Sequence, residues 1–382
     1  MRKFLSVPII LFLVSMAQAK TWEGHAGPWG ELLISSMYLE APDSVIDVIP
    51  KPNSVTRWVF PGNTPSGVKS LLIKAGVQGA LVESLTTAPK LVTNAGEIII
   101  YPTLEELLQI TGGVRDALYA EIAKYEQNEH YFDPVYLLSG DVEEWLDRAD
   151  LSKSQKDIFR QLVWHRGEAM VFSDISALLG LVESKLEIDS TIRAVTRNRT
   201  LLVSQKFPLK GVSRGDFLKY WFSGQAESPR MTFIKAIANE TTISDSVDII
   251  HFFPVLMRER AYTFPSIRDA AKGRMPDCHW TSLNFFNLTP RDFYRNTKLA
   301  ALQLTESYDA VSPPYNFGDI LCYVENGNGL HTCVYIADDI VLTKNGENIL
   351  SPWVLLYVSD VSKIYKRSAA TTIQGYRLKK TH

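Results

Sequence analysis

Cysteine is scarce in this chain, with three in 382 residues. An odd count cannot pair completely, so a fold held by disulfides alone is excluded and at least one sulfur is left over. Excess charge is scarce too. The 40 Lys and Arg residues nearly balance the 42 Asp and Glu, for a formal net charge of −2. The two signs are interleaved, so the basic footprint of a nucleic-acid binder is missing. No HExxH motif, paired-cysteine ligand set or phosphate loop occurs, and no metal or organic cofactor is implied. Repeats and low-complexity tracts are absent. After residue 19, no apolar run reaches the about 20 residues that a membrane-spanning helix needs.

What is present begins with an export signal. Arg2 and Lys3 precede an apolar stretch over residues 4–16, and Ala17-Gln18-Ala19 follows as a small-residue cleavage site. The mature chain is expected to start near Lys20 and to reach the periplasm or the exterior, with no membrane span left after cleavage. Hydrophobic residues make up 46% of the chain, enough for a full core, and the length predicts two domains. Residues 20–244 read as a mainly helical domain. VTRWVF (55–60), EIIIYP (97–102) and TLLVSQKF (200–207) look like strands within it. Thr103-Leu104-Glu105-Glu106 forms a capping box, KDIFRQLVWH (156–165) reads as a helix carrying His165, and Asp174 reads as a helix N-cap. The second domain, 245–382, opens with a helical pattern at 245–262 that Pro254 threatens to split. Strands follow at DILCYV, HTCVYIA, IVLTK and WVLLYV, with KIYKR and YRLKK as further candidates. A helix and then antiparallel strands make the fold class α+β.

The chemistry concentrates around Cys278. It follows the loop Gly273-Arg274-Met275-Pro276, and Trp280, Leu283 and Phe286 recur at helical spacing behind it. A cysteine at a helix start is biased toward thiolate. A histidine on a separate strand, His331, is the candidate base, and the next strand offers Thr343 or Asn345 to fix the imidazole. Asn345 is preferred, because its carbonyl oxygen accepts a ring N–H. Backbone N–H groups at the helix start, including that of Cys278, are the expected oxyanion hole. Alternation places His331, Cys333 and Tyr335 on one sheet face, and Thr332, Val334 and Ile336 on the other. A Gly327-Asn328 turn sets Cys322 opposite Cys333. That arrangement leaves open both a cross-strand disulfide and two separate buried thiols.

PDCHWTSLNFF and FGDILCYVENGNGLHTCVYIADDIVLTKNG resemble the NlpC-type cell-wall peptidases, a papain-like group. Asp277-Cys278, Gly318-Asp319-Ile320-Leu321 and His331-Thr332-Cys333-Val334-Tyr335-Ile336 match that family's three motifs in order, over about 260 to 350. The resemblance implies a catalytic helix packed on an antiparallel sheet, Cys278 as nucleophile, His331 as base and Asn345 as orienter. It also implies a cell-wall peptide as substrate, and Tyr262 stands in for the family's upstream substrate-contacting Tyr. His279 and Trp280 replace the usual Ser-Gly, and Cys333 replaces a glycine. Together with Asp277, His279 and Trp280 are the candidate substrate contacts, although His279 is expected to point off the catalytic face. The expected activity is amide hydrolysis in peptidoglycan peptides through an acyl-thioenzyme. The alternatives are an amidase or acyltransferase on another amide or a lipid, or a binding protein whose groove the bulky His279-Trp280 pair obstructs. Oligomeric state stays open.

Overall fold

The computed structural model describes residues 20–138, 140–222, 229–239, 245–270, 275–366 and 368–379. The export signal expected at 1–19 lies outside them, as do Gly273 and Arg274 before Cys278. Helices and strands alternate irregularly, and the strand pairs between named elements are antiparallel, so the class is α+β.

Strands β1 (Leu32–Leu39) and β2 (Asn198–Lys206) pair from Leu32↔Gln205 to Leu39↔Asn198 at the centre of a four-stranded sheet. Residues 41–195 lie between them in sequence and bury a core of their own, containing Trp58, Phe60, Tyr119, Trp145, Phe159 and Trp164. Two three-stranded sheets take part in that unit, so 20–244 is less purely helical than its sequence suggests. His165 sits on the strand Trp164–Arg166, because the preceding helix ends at Leu162.

The second sheet has six strands, β3 (Tyr308–Val311), β4 (Ile320–Glu325), β5 (Asn328–Ala337), β6 (Ile340–Lys344), β7 (Trp353–Tyr357) and β8 (Thr372–Leu378), in the order β3-β8-β4-β5-β6-β7. Three helices flank it: α1 (Cys278–Leu283), α2 (Thr297–Ser307) and α3 (Val358–Tyr365). On one face, Val334, Ile336 and Leu342 pack with Trp280 and Leu283 of α1 and with Leu32, Ile34, Leu201 and Val203 of the first sheet. On the other, Leu321, Tyr323, Cys333, Val341 and Leu356 pack with Val361 and Ile364 of α3. Burial on both faces explains why these strands read as continuous apolar runs. It also packs elements from the two sides of the boundary expected at 244/245 against one another. β1 and β2 share a core with the C-terminal sheet, and Thr200 Oγ1 accepts from Leu355 N at 2.9 Å.

Local details depart from the sequence pattern for identifiable reasons. Residues 245–262 form a strand at Ser246–Asp248, drawn into pairing with β2, then a 3₁₀ turn, and a helix at Val255–Arg260. Pro254 caps that helix and ends the pattern before it. Of KIYKR, Lys363, Ile364 and Tyr365 belong to α3 and Lys366 is its C-cap, while Arg367 lies outside the described residues. The turn between β4 and β5 is Asn326-Gly327, with φ +51° and +78°, and Glu325 faces Asn328. A bulge then brings Tyr323 opposite His331. Cys322 therefore faces Thr332 and Cys333 faces Leu321, and all three cysteines are free and buried. Gly318 precedes β4 with φ +89°, and a Cβ there would lie 2.2 Å from the Phe286 ring. Glycine is required at that position. The next residue, Asp319, accepts from Arg377 Nε and Nη2 at 2.8 and 2.7 Å.

Asp174 occupies an N-cap position, yet its side chain does not cap. Its carboxylate is buried and accepts from Tyr119 Oη at 2.9 Å and Tyr131 Oη at 2.6 Å. Burial pushes this carboxyl up to about 6, against the pull of the two hydroxyls. A carboxyl whose folded value exceeds its unfolded one stabilises the fold at low pH and loses that contribution as pH rises. Asp174→Asn should match the wild type below about pH 4 and exceed it by up to about 3 kcal/mol above about pH 6. Denaturant titrations across that window provide the check. A variant less stable than the wild type throughout would contradict it.

Candidate active site

The first turn of α1 is anchored before any chemistry is considered. Asp277 takes an extended backbone and its Oδ1 accepts from Trp280 N at 2.8 Å. Thr281 Oγ1 donates to Asp277 O at 2.7 Å and accepts from Trp353 Nε1 at 2.9 Å, which ties the helix to β7. Trp280 is buried in the core, with its ring centroid 6.3 Å from that of Trp353. These contacts give Asp277 a helix-capping role and Trp280 a packing role. Neither presents a free surface to a substrate.

Cys278 is 6% exposed and His331 is fully buried. The β5–β6 pairing runs from Ala337↔Ile340 to Val334↔Leu342, so His331 lies beyond its end. There His331 Nε2 and Thr343 Oγ1 bridge the two strands at 2.8 Å. The imidazole also stacks on Tyr365 of α3, with centroids 3.9 Å apart and planes 8° from parallel. His331 Nδ1 is buried without a hydrogen-bond partner. Burial alone would raise the Cys278 thiol. The His331 and His279 imidazoles, by charge and by hydrogen bonding, outweigh it and hold the thiol well below its ordinary range. A six-residue helix has little dipole to offer, so the two imidazoles supply the effect.

His279 does not point away from the thiol, contrary to the sequence expectation. Burial works against its protonation, but Cys278 and then Asp277 raise it to about 9. Its Nδ1 lies 3.2 Å from Thr332 Oγ1. Burial pushes Asp277 up to about 6, helped by the Cys278 charge and opposed by the Trp280 N–H. Lys344 adds a buried cation. Its Nζ donates to Gly346 O at 2.8 Å and Asn348 O at 3.1 Å, and burial brings it down to about 8.

Asn345 does not meet the imidazole. β6 ends at Lys344, Gly346 follows with φ +70°, and Asn345 Oδ1 is buried without a partner. Thr343, still on the strand, takes the position beside His331. Tyr262 is also elsewhere. Its hydroxyl donates to Leu201 O at 3.0 Å, and it lines a separate cavity of about 530 Å³ with Pro42, Val45 and Phe264. A different cavity, of about 290 Å³, is lined by His279, Cys322, Thr332, Leu283, Leu304 and Ile320 among others, and reaches the neighbourhood of Cys278 through His279, since Cys278 itself does not line it. No Asp, Glu, Lys or Arg lines it. Sequence reasoning missed Tyr365 and Lys344. The only available signal was a lysine inside the apolar run IVLTK.

Compared with known proteins, the chain matches no family model, no curated protein and no solved structure. Among the described residues, no helix is long and apolar enough to cross a membrane.

Thiol reactivity tests the electrostatics directly. Burial pushes Cys322 up to about 12 and Cys333 well above its ordinary range. Iodoacetamide should therefore label Cys278 alone in the folded protein, as read by peptide mass spectrometry. Its rate should fall less steeply from about pH 8 to 6 than that of a free thiol of pKa about 8.5, which slows roughly tenfold per unit. Equal labelling of the three cysteines would contradict the arrangement.

Proposed function

We propose that this chain is an exported cysteine hydrolase that cleaves amide bonds in cell-wall peptides through an acyl-thioenzyme. One observation carries the reading: a buried cysteine lies against two imidazoles that hold its thiol well below the ordinary range, and one of them is fixed in turn by a hydroxyl. Nucleophile, base and orienter in sequence are what acyl transfer requires. In the proposed reaction, Cys278 attacks the amide carbonyl and forms a tetrahedral intermediate. Collapse expels the amine, which takes up a proton, and leaves the acyl group on sulfur. Water then attacks the thioester, releasing the carboxylic acid and restoring the thiolate. Thr343 keeps the His331 ring in place through both halves.

The cell-wall substrate comes from the resemblance to NlpC-type peptidases, whose papain-like arrangement is part of the same proposal. A second reading, an amidase or acyltransferase acting on an acyl group without carboxylates or amines, is favoured by the cavity that His279 lines, which has no Asp, Glu, Lys or Arg in its lining. Stem peptides carry carboxylates and amines that ordinarily call for charged partners.

Alkylation of Cys278 near neutral pH, far faster than that of a model thiol and slowed by His331→Ala, is the expected signature of an activated nucleophile. Alkylation at the model rate, unchanged by His331→Ala, would sink the enzymatic reading. Muropeptide digestion followed by mass spectrometry, with Cys278→Ala as control, separates peptidoglycan from other amides. Thr343→Val should lower turnover by about tenfold, equivalent to about 1.4 kcal/mol of barrier, whereas Asn345→Ala should leave it close to wild type. The opposite ranking would return Asn345 to the orienting role.

A further inference from the structure

Two imidazoles act on the Cys278 sulfur, and they differ in access. His331 is fully buried, stacked on Tyr365 and bonded to Thr343, and it does not line the cavity beside the site. His279 does line that cavity, next to Cys322, Thr332 and Gly329. A Cβ placed on Gly329 would lie in ordinary van der Waals contact, 4.0 Å from His279 Cε1 and 3.5 Å from Cys322 Sγ. Thr332 Oγ1 engages Nδ1 of His279, and the ring also hydrogen-bonds the Cys278 sulfur. His279, and not His331, is therefore the imidazole that borders both the sulfur and the cavity.

We propose that His279 is a second catalytic residue, the acid that protonates the leaving group, while His331 serves only to create and hold the thiolate. The inference rests on the cysteine-hydrolase reading above. It divides between two side chains a task that a single imidazole would otherwise perform in turn. The resting site holds thiolate and imidazolium together. Cys278 Sγ attacks the carbonyl carbon, and a new C–S bond forms. When the tetrahedral intermediate collapses, the bond from carbonyl carbon to leaving nitrogen or oxygen breaks. Its electron pair stays on the leaving atom, and the Nε2 proton of His279 moves there. The enzyme is then a thioester with neutral His279. In the second half, His279 Nε2 takes a proton from water as the water oxygen bonds to the acyl carbon. The C–S bond breaks with its electron pair returning to sulfur, which regenerates thiolate and imidazolium. The raised proton affinity of His279 suits a group that starts each cycle charged. The groups that set it are Cys278 and Asp277 on its own helix, with Thr332 as hydrogen-bond partner from β5.

The test is the leaving-group dependence of Cys278 acylation. A series of aryl acetates from p-nitrophenyl acetate to phenyl acetate is followed by phenol release, for the wild type, His279→Gln and Thr332→Val. Nitrophenolate departs without a proton and phenolate departs poorly. His279→Gln should therefore acylate with p-nitrophenyl acetate within a few-fold of wild type, yet lose on the order of 10²-fold with phenyl acetate. Thr332→Val, which removes the hydroxyl bonded to Nδ1, should show a smaller loss with the same selectivity. Parallel slopes for wild type and variants would overturn the role. So would equal loss across the series in a variant that keeps the wild-type melting temperature, since that pattern assigns His279 to thiol activation. If His279→Gln does not fold, Thr332→Val decides by the same two slopes. Wild-type acylation no faster than that of a free thiol is a different outcome, because it removes the hydrolase reading itself.

Discussion

The charge cluster of Cys278, His331 and His279 is the constraint around which the second sheet is arranged. A thiolate buried this deeply is stable only if positive charge and hydrogen bonds replace the water it lost. Each neighbour answers to that need. Asp277 caps the helix and adds its field to His279, Thr343 and Tyr365 fix the ring of His331, and Thr332 holds His279. The consequence is a site with one imidazole built into the wall and a second that faces the cavity.

Support for that cluster comes from well beyond the family-like motifs. The sheet that carries His331 is covered on one face by α3 and on the other by α1 and the strands β1 and β2. Those two strands flank residues 41–195 in sequence, so the N-terminal unit is inserted between elements of the C-terminal core. Trp353 is a junction in this packing. It hydrogen-bonds Thr281 of α1, faces Trp280, and lies under both Arg260 and Lys344. The cost is a buried cation near the site, Lys344, tied to the carbonyls of Gly346 and Asn348.

Much of this was legible before any coordinates. Strands β4 to β7, the start of α1 at Cys278, the capping box at Thr103 and the strand at 198–206 all follow from pattern and punctuation. The failures have physical causes. The β4–β5 register slipped because NGNG contains more than one permissible turn, and the bulge that follows leaves no trace in composition. KIYKR alternates like a strand but is amphipathic as a helix, and the apolar face of α3 has the sheet to bury against. The single helix expected at 245–262 failed because β2 offers an unpaired edge, a fact about a strand forty residues upstream.

Residue chemistry and order, then, are the sequence's own contribution: a cysteine at a helix start, a histidine on a following strand, and a hydroxyl-bearing and an amide-bearing residue on the next. Those choices are local, because they depend on capping, alternation and turn preference within a few residues. The tertiary structure decided which of them meet. Thr343 reaches His331 and Asn345 does not, because β6 ends between them. His279 turns toward the sulfur because Thr332, fifty-three residues away in the chain, holds its ring there. Tyr262 is drawn off to Leu201. Partners distant in sequence are set by how two faces of one sheet are covered, and no local pattern encodes that.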